Sequence, residues 1–244
     1  MRSSNPLQKE SIYERAYALE EHPMTITGTA VKLIVLSLVM LAGAFITYYQ
    51  FMQGHFDFVN MIMTGGIAIG FITALILAFK PDAALYLAPV YAVSQGAAVS
   101  GFSCFMEQAY RGIVMQAALL TLLTVLVTAF LYASGIIKVT EKFKSMLLAA
   151  SAAIFIFYLL SFILTLFGIN VPYFTQNTPL NIGINIVIAG VAACYLILDY
   201  DFIQKGAERG APAVFEWYGA FSMLVTVVWL YVEILRLLSR FRSR

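Results

Sequence analysis

Charge is what this sequence has least of: its 244 residues carry fifteen Lys and Arg against thirteen Asp and Glu, 11% of the chain, where a soluble domain holds about 25%. That deficit excludes an ordinary water-soluble enzyme. A net charge of only +2 leaves no basic face for nucleic acid, and 61% hydrophobic residues exclude a disordered chain. Cysteine is nearly absent. Cys104 and Cys194 both fall inside apolar stretches, so they read as buried, inert thiols, with neither a disulfide scaffold nor a metal-ligand spacing. Histidine is as scarce: His22 lies in the polar start and His55 in a short polar turn. That removes the buried Ser and His of a membrane serine protease and the ligands of intramembrane zinc hydrolysis. No Lys follows Lys205, so the last apolar stretch lacks the Schiff-base lysine of a retinal protein. There are no convincing strands and no Gly-rich phosphate loop.

What is present in quantity is apolar sequence, with a mean hydropathy of +0.84. A membrane helix needs about 20 mostly apolar residues. Seven such runs occur: Val31 to Met52, Phe58 to Phe79, Ala83 to Phe105, Gly112 to Ser134, Ser145 to Gly168, Leu180 to Ile203 and Phe215 to Leu238. The expected fold is all-α, an integral membrane seven-helix bundle, with one transmembrane domain over 29–244 and no room for a second domain. Residues 1–28 read as a polar cytoplasmic tail with one amphipathic turn around Ile12 to Leu19. They contain no hydrophobic region of the kind a cleaved signal peptide has, so the first membrane helix doubles as the targeting signal.

Ten basic residues fall on the side of the N-terminus: Arg2, Lys9, Arg15, Lys32, Lys80, Lys138, Lys142, Lys144, Lys205 and Arg209. The opposite loops hold only Arg111, which places the N-terminus in the cytoplasm of a cell-membrane protein. Arg236, Arg240, Arg242 and Arg244 pull the other way. Either seven full crossings override them, the favoured reading, or the last helix enters without crossing. Gly66 and Gly70, with Gly96, Ser100 and Gly101, offer close backbone approach, though generic packing explains them as well. Tyr48, Tyr49, Tyr110, Tyr173, Trp217 and Tyr218 sit near span ends, as interfacial aromatics do.

An ionised acid at a helix centre costs roughly 2.5 to 3.5 kcal/mol on insertion scales, so acids within spans are functional candidates. Asp199, Asp201 and Glu233 qualify, and Glu107 is a weaker fourth. The structural alternatives are specific. Asp201 can pair with Lys205 at i+4, and Glu233 with Arg236 at i+3; Asp199 has no base three or four residues away. Two carboxyls sharing a poorly hydrated site titrate as a unit and can exchange a proton for a hard cation such as Ca²⁺. The same pair in an enzyme would make an aspartyl protease.

The stretch Leu196 to Ile203, Glu216-Trp217-Tyr218-Gly219-Ala220 and Leu230 to Leu238 resembles the Bax inhibitor-1 (TMBIM) family, in particular a bacterial branch. Tyr91 to Gly96, Ser103 to Glu107 and Gly112 to Ala117 support it, and the likeness covers essentially the whole chain. The resemblance implies six helices around a central seventh, pH-sensitive calcium leak, and an acid pair as sensor. Asp199, four residues before Ile203, fits one half of that pair. Glu233, in Leu230-Tyr231-Val232-Glu233, fits the other, with Glu in place of Asp. Asp201 is an additional acid. Lys80 stands where the family has a basic latch, and Arg236 is a second candidate.

Together these readings predict a pH-sensitive calcium leak channel gated by Asp199 and Glu233, which would also hold the passing Ca²⁺. No catalytic residue and no cofactor are expected. The alternative is a non-conducting membrane interaction protein that modulates a membrane protease or a stress response. For Asp199 and Glu233 to meet, the seventh helix has to enter the bilayer near Gly219 or beyond, the favoured arrangement, or Glu216 to Tyr218 have to stand clear of the bilayer, because from Phe215 the glutamate would lie about 27 Å along it.

Overall fold

The structure, a computed structural model, describes residues 23–169, 171, 173 and 178–243. Seven long helices follow in order: α1 (Ile26–Met52), α2 (Phe56–Phe79), α3 (Ala84–Ala109), α4 (Ile113–Ala133), α5 (Glu141–Leu166), α6 (Pro179–Glu208) and α7 (Val214–Arg242). The described residues contain no strand. All but α3 are long and apolar enough to span a membrane by length and composition. The amphipathic turn expected around Ile12 to Leu19 lies outside the described residues.

Local chemistry sets the boundaries. Thr25, Thr140 and Thr178 each cap a helix by accepting from the backbone N–H three residues on, which supplies one of the acceptors a helix start lacks. Gly112, at φ +79°, turns the chain into α4 in a left-handed conformation that glycine adopts freely.

The bundle is apolar outside and mixed inside, the arrangement lipid demands. Leu38, Leu41 and Phe45 on α1, and Leu119, Leu122 and Leu126 on α4, are exposed. Small residues stand where helices touch. A Cβ on Gly96 would strike the Met40 carbonyl, and one on Gly43 the Val93 carbonyl, so α1 and α3 cross backbone against backbone. Ser100 seals the crossing by donating to the Ala44 carbonyl at 2.8 Å. Gly66 does the same for α2 against Ser94 and Ala98 of α3. Thus the small residues of α2 and α3 are contact points.

α7 is the central helix. It packs against α1, α3, α4 and α6 and contributes to two apolar cores. Ala220, Phe221 and Leu224 meet Leu36, Leu77 and Tyr91; Leu230, Ile234 and Leu235 meet Ile113, Ala117, Ala192 and Leu196. By contrast α5 buries only Leu147 and Ser161 among its 26 residues.

The last helix runs the full height of the bundle. Its start lies beside the chain entrance, where Met24 N–H donates to the Ala211 carbonyl and Lys32 pairs with Glu216. Its end lies beside the α3–α4 turn, where Arg242 donates to the Arg111 carbonyl and to Gln116 Oε1. The terminal arginines that opposed seven crossings are largely engaged by the protein itself.

Candidate functional site

Four acids are buried among the described residues: Asp199, Asp201, Glu216 and Glu233. Three have a cation. Asp201 pairs with Lys205 one turn on, Glu216 with Lys32 across the α1–α7 contact, and Glu233 with Arg236. Asp199 forms no ion pair among the described residues.

Asp199 is 5% exposed and faces α7. Ser222 Oγ donates to its Oδ1 at 2.6 Å, while Oδ2 is buried without a hydrogen-bond partner. Thr226, one turn along α7, donates its hydroxyl to the Ser222 carbonyl at 3.2 Å and lies close to the same carboxyl. At this level the seam between α6 and α7 therefore brings one acid beside two hydroxyls.

Glu233 occupies a different place, only 1% exposed. Tyr158 of α5 donates to Oε1 at 2.9 Å and Asn185 of α6 to Oε2 at 2.7 Å. Arg236 Nη1 donates to Oε1 at 3.2 Å and to the Tyr158 hydroxyl at 2.8 Å. A guanidinium, an amide and a phenol thus satisfy this carboxylate, which is what a charge at such depth requires. Near it Arg240 stacks on Tyr173, 4.4 Å from ring centre, and donates to the Tyr173 carbonyl.

The expected pairing of Asp199 with Glu233 is not formed. Eleven residues of α7 separate Ser222 from Glu233, about 16 Å at 1.5 Å per residue. Along α6 the interval from Asn185 to Asp199 is fourteen residues, about 21 Å. The cause is the helix start: α7 begins at Val214 rather than near Gly219, which carries Glu233 past Asp199 toward the far end of the bundle. The two acids therefore do not share a metal site. Among the described residues no group of three or more His, Cys, Asp or Glu is placed to hold a metal.

The latch also differs. Lys80 caps the end of α2, exposed and without an ion pair among the described residues, so it touches neither acid. Arg236 does contact an acid, through the i,i+3 pair with Glu233. Asp201 turns away from α7 to Lys205, in the wall of a cavity of about 720 Å³ between α5 and α6.

Sequence reasoning missed Ser222, Thr226, Asn185, Tyr158 and the Lys32–Glu216 pair. Lys32 carried a usable signal. It sits inside the first helix with no acid within four residues, so its counter-charge had to come from another helix. Asn185, an amide within an apolar run, was a second.

A central helix packed against four others, with an acid that has no ion pair among the described residues where it meets the sixth helix, defines a multi-pass α-helical membrane protein with a polar point inside its bundle. The chain belongs to the Bax inhibitor 1 like family, whose family model matches residues 5–243. No curated protein and no solved structure matches it.

Proposed function

We propose that this protein is a pH-sensitive calcium leak pathway of the cell membrane in which Asp199 alone, rather than a carboxyl pair, is the titrating element. One observation carries the reading: among the described residues, Asp199 is the buried acid left without a cation. Its unpartnered Oδ2 and the hydroxyls of Ser222 and Thr226 offer the oxygen donors a hard cation prefers. Loading a proton there removes the charge that faces Ser222 and with it the attraction for Ca²⁺. The N-terminus faces the cytoplasm, on the side that collects the basic residues. The protein acts without catalysis and without a resident cofactor, and Ca²⁺ and protons are its small partners.

The test is Ca²⁺ entry into dye-loaded liposomes between about pH 5 and 8. Wild-type flux is expected to change with pH, and Asp199→Asn to give a flux that does not. Glu233→Gln is expected to retain the pH dependence. If the wild type passes no Ca²⁺ at any pH in that range, the reading fails. In that case the second reading gains, a non-conducting interaction protein acting on a membrane partner. The sparsely covered α5 supports that alternative, since a helix with two buried residues has a wide face to offer.

A further inference from the structure

Arg236 does more than neutralise Glu233. Its hydrogen bonds to Tyr158 and Glu233 all leave from Nη1. The Arg236 side chain also lines a cavity of about 260 Å³ between α2, α3 and α7. The second polar group in that wall is Gln95, whose side chain forms no hydrogen bond among the described residues. Gly70 makes room for it, because a Cβ at residue 70 would collide with the Gln95 amide. The remaining wall is apolar, with Val99, Phe102 and Val232 inside and Ile67, 55% exposed, at the lipid-facing edge.

Charge at this end of the bundle is unbalanced. Among the described residues, Arg111, Arg236, Arg240 and Arg242 face Asp57, Glu107 and Glu233. Of these, Glu107 is held by the Gly112 and Val114 backbone N–H groups. Arg236 is paired with Glu233, whereas the buried Arg240 has no acid partner among the described residues. A positive surplus inside a bilayer calls for an anion, and the cavity opens sideways to lipid. Its volume lies just under the roughly 300 to 1,000 Å³ of whole small-molecule pockets, which suits one acyl chain better than a folded cofactor.

We propose that this cavity is a binding site for an anionic phospholipid, with the phosphate against Arg236 and Gln95 and one acyl chain along Val99, Phe102 and Ile67. The proposal is independent of whether the protein conducts ions. Arg236 lies six residues before the end of α7, about 9 Å, a depth at which a phosphate at the far membrane surface meets a guanidinium reaching outward.

Native mass spectrometry of the full chain, titrated with phosphatidylglycerol or phosphatidylcholine, tests it. One phosphatidylglycerol per chain is expected to be retained about tenfold more tightly than phosphatidylcholine, as a charge-assisted hydrogen bond would give. Arg236→Gln should abolish that preference. Because it also strips Glu233 of its partner, Gln95→Leu and Val99→Trp serve as second variants; neither removes a hydrogen bond, and both should weaken phosphatidylglycerol selectively. Arg209→Gln, in the α5–α6 cavity at the other end, should leave it unchanged. Equal retention of the two lipids overturns the proposal. So does phosphatidylglycerol binding that survives all three cavity variants, or that disappears in Arg209→Gln.

Discussion

Asp199 and Glu233 are both carboxyls within a membrane bundle, yet their surroundings assign them opposite duties. Glu233 is satisfied on both oxygens and neutralised by Arg236, so its part is structural. Removing one member of such a pair strands the other charge, at a cost of about 3 kcal/mol or more. Glu233→Gln should therefore lower the unfolding temperature in detergent, and adding Arg236→Gln should recover part of the loss. Equal melting of the single and double variants would show that the pair does not couple. Asp199 predicts the reverse. Its amide analogue still accepts from Ser222 and no longer buries an unpaired charge, so Asp199→Asn at pH 8 should melt no earlier than wild type. The sequence distinguished these residues only partly. The Glu233–Arg236 pair was visible as an i,i+3 spacing, whereas the hydroxyls facing Asp199 come from a helix whose register depends on where α7 starts.

The helices themselves were legible because lipid imposes length: all seven apolar runs are helices, each within a few residues of its expected core. The ends were less so. α1 begins five residues before Val31, α6 continues to Glu208 and α7 starts at Val214. Polar residues prolong a helix beyond the bilayer without altering the apolar run. α3 is the least obviously membrane-spanning segment, since its small and polar residues face α1 and α2 instead of lipid. Its contacts with α1 predict a sharp contrast between glycines. Gly96→Ala places a methyl against the Met40 carbonyl, and that backbone cannot swing aside; Gly190→Ala meets open space. The first should reduce the monodisperse fraction on size-exclusion chromatography. The second should be neutral or raise stability by up to about 1 kcal/mol from helix propensity. Comparable behaviour of the two would mean that α1 and α3 do not cross as closely as described.

Taken whole, the described chain places Met24 at one end of the bundle and Arg242 at the other. The sequence left this open, because four terminal arginines resembled a cytoplasmic anchor, whereas Arg236, Arg240 and Arg242 in fact bind Glu233, Tyr173 and Arg111. In intact cells, with Cys104 and Cys194 replaced by alanine, an impermeant thiol reagent is expected to label His55→Cys and Ser243→Cys. Lys138→Cys should react only after permeabilisation. Co-labelling of Lys138→Cys and Ser243→Cys would instead mean that the last helix re-enters. The connection at the opposite end has a further consequence, for synthesis. Lys32 and Glu216 stand 184 residues apart, and at about 5 to 20 residues per second the ribosome needs roughly 9 to 37 s to make the second after the first. For that interval α1 holds a lone ammonium near the membrane surface, its long stem letting the charge reach water. The first helix therefore waits for the seventh, and the two are joined only once Glu216 has been made.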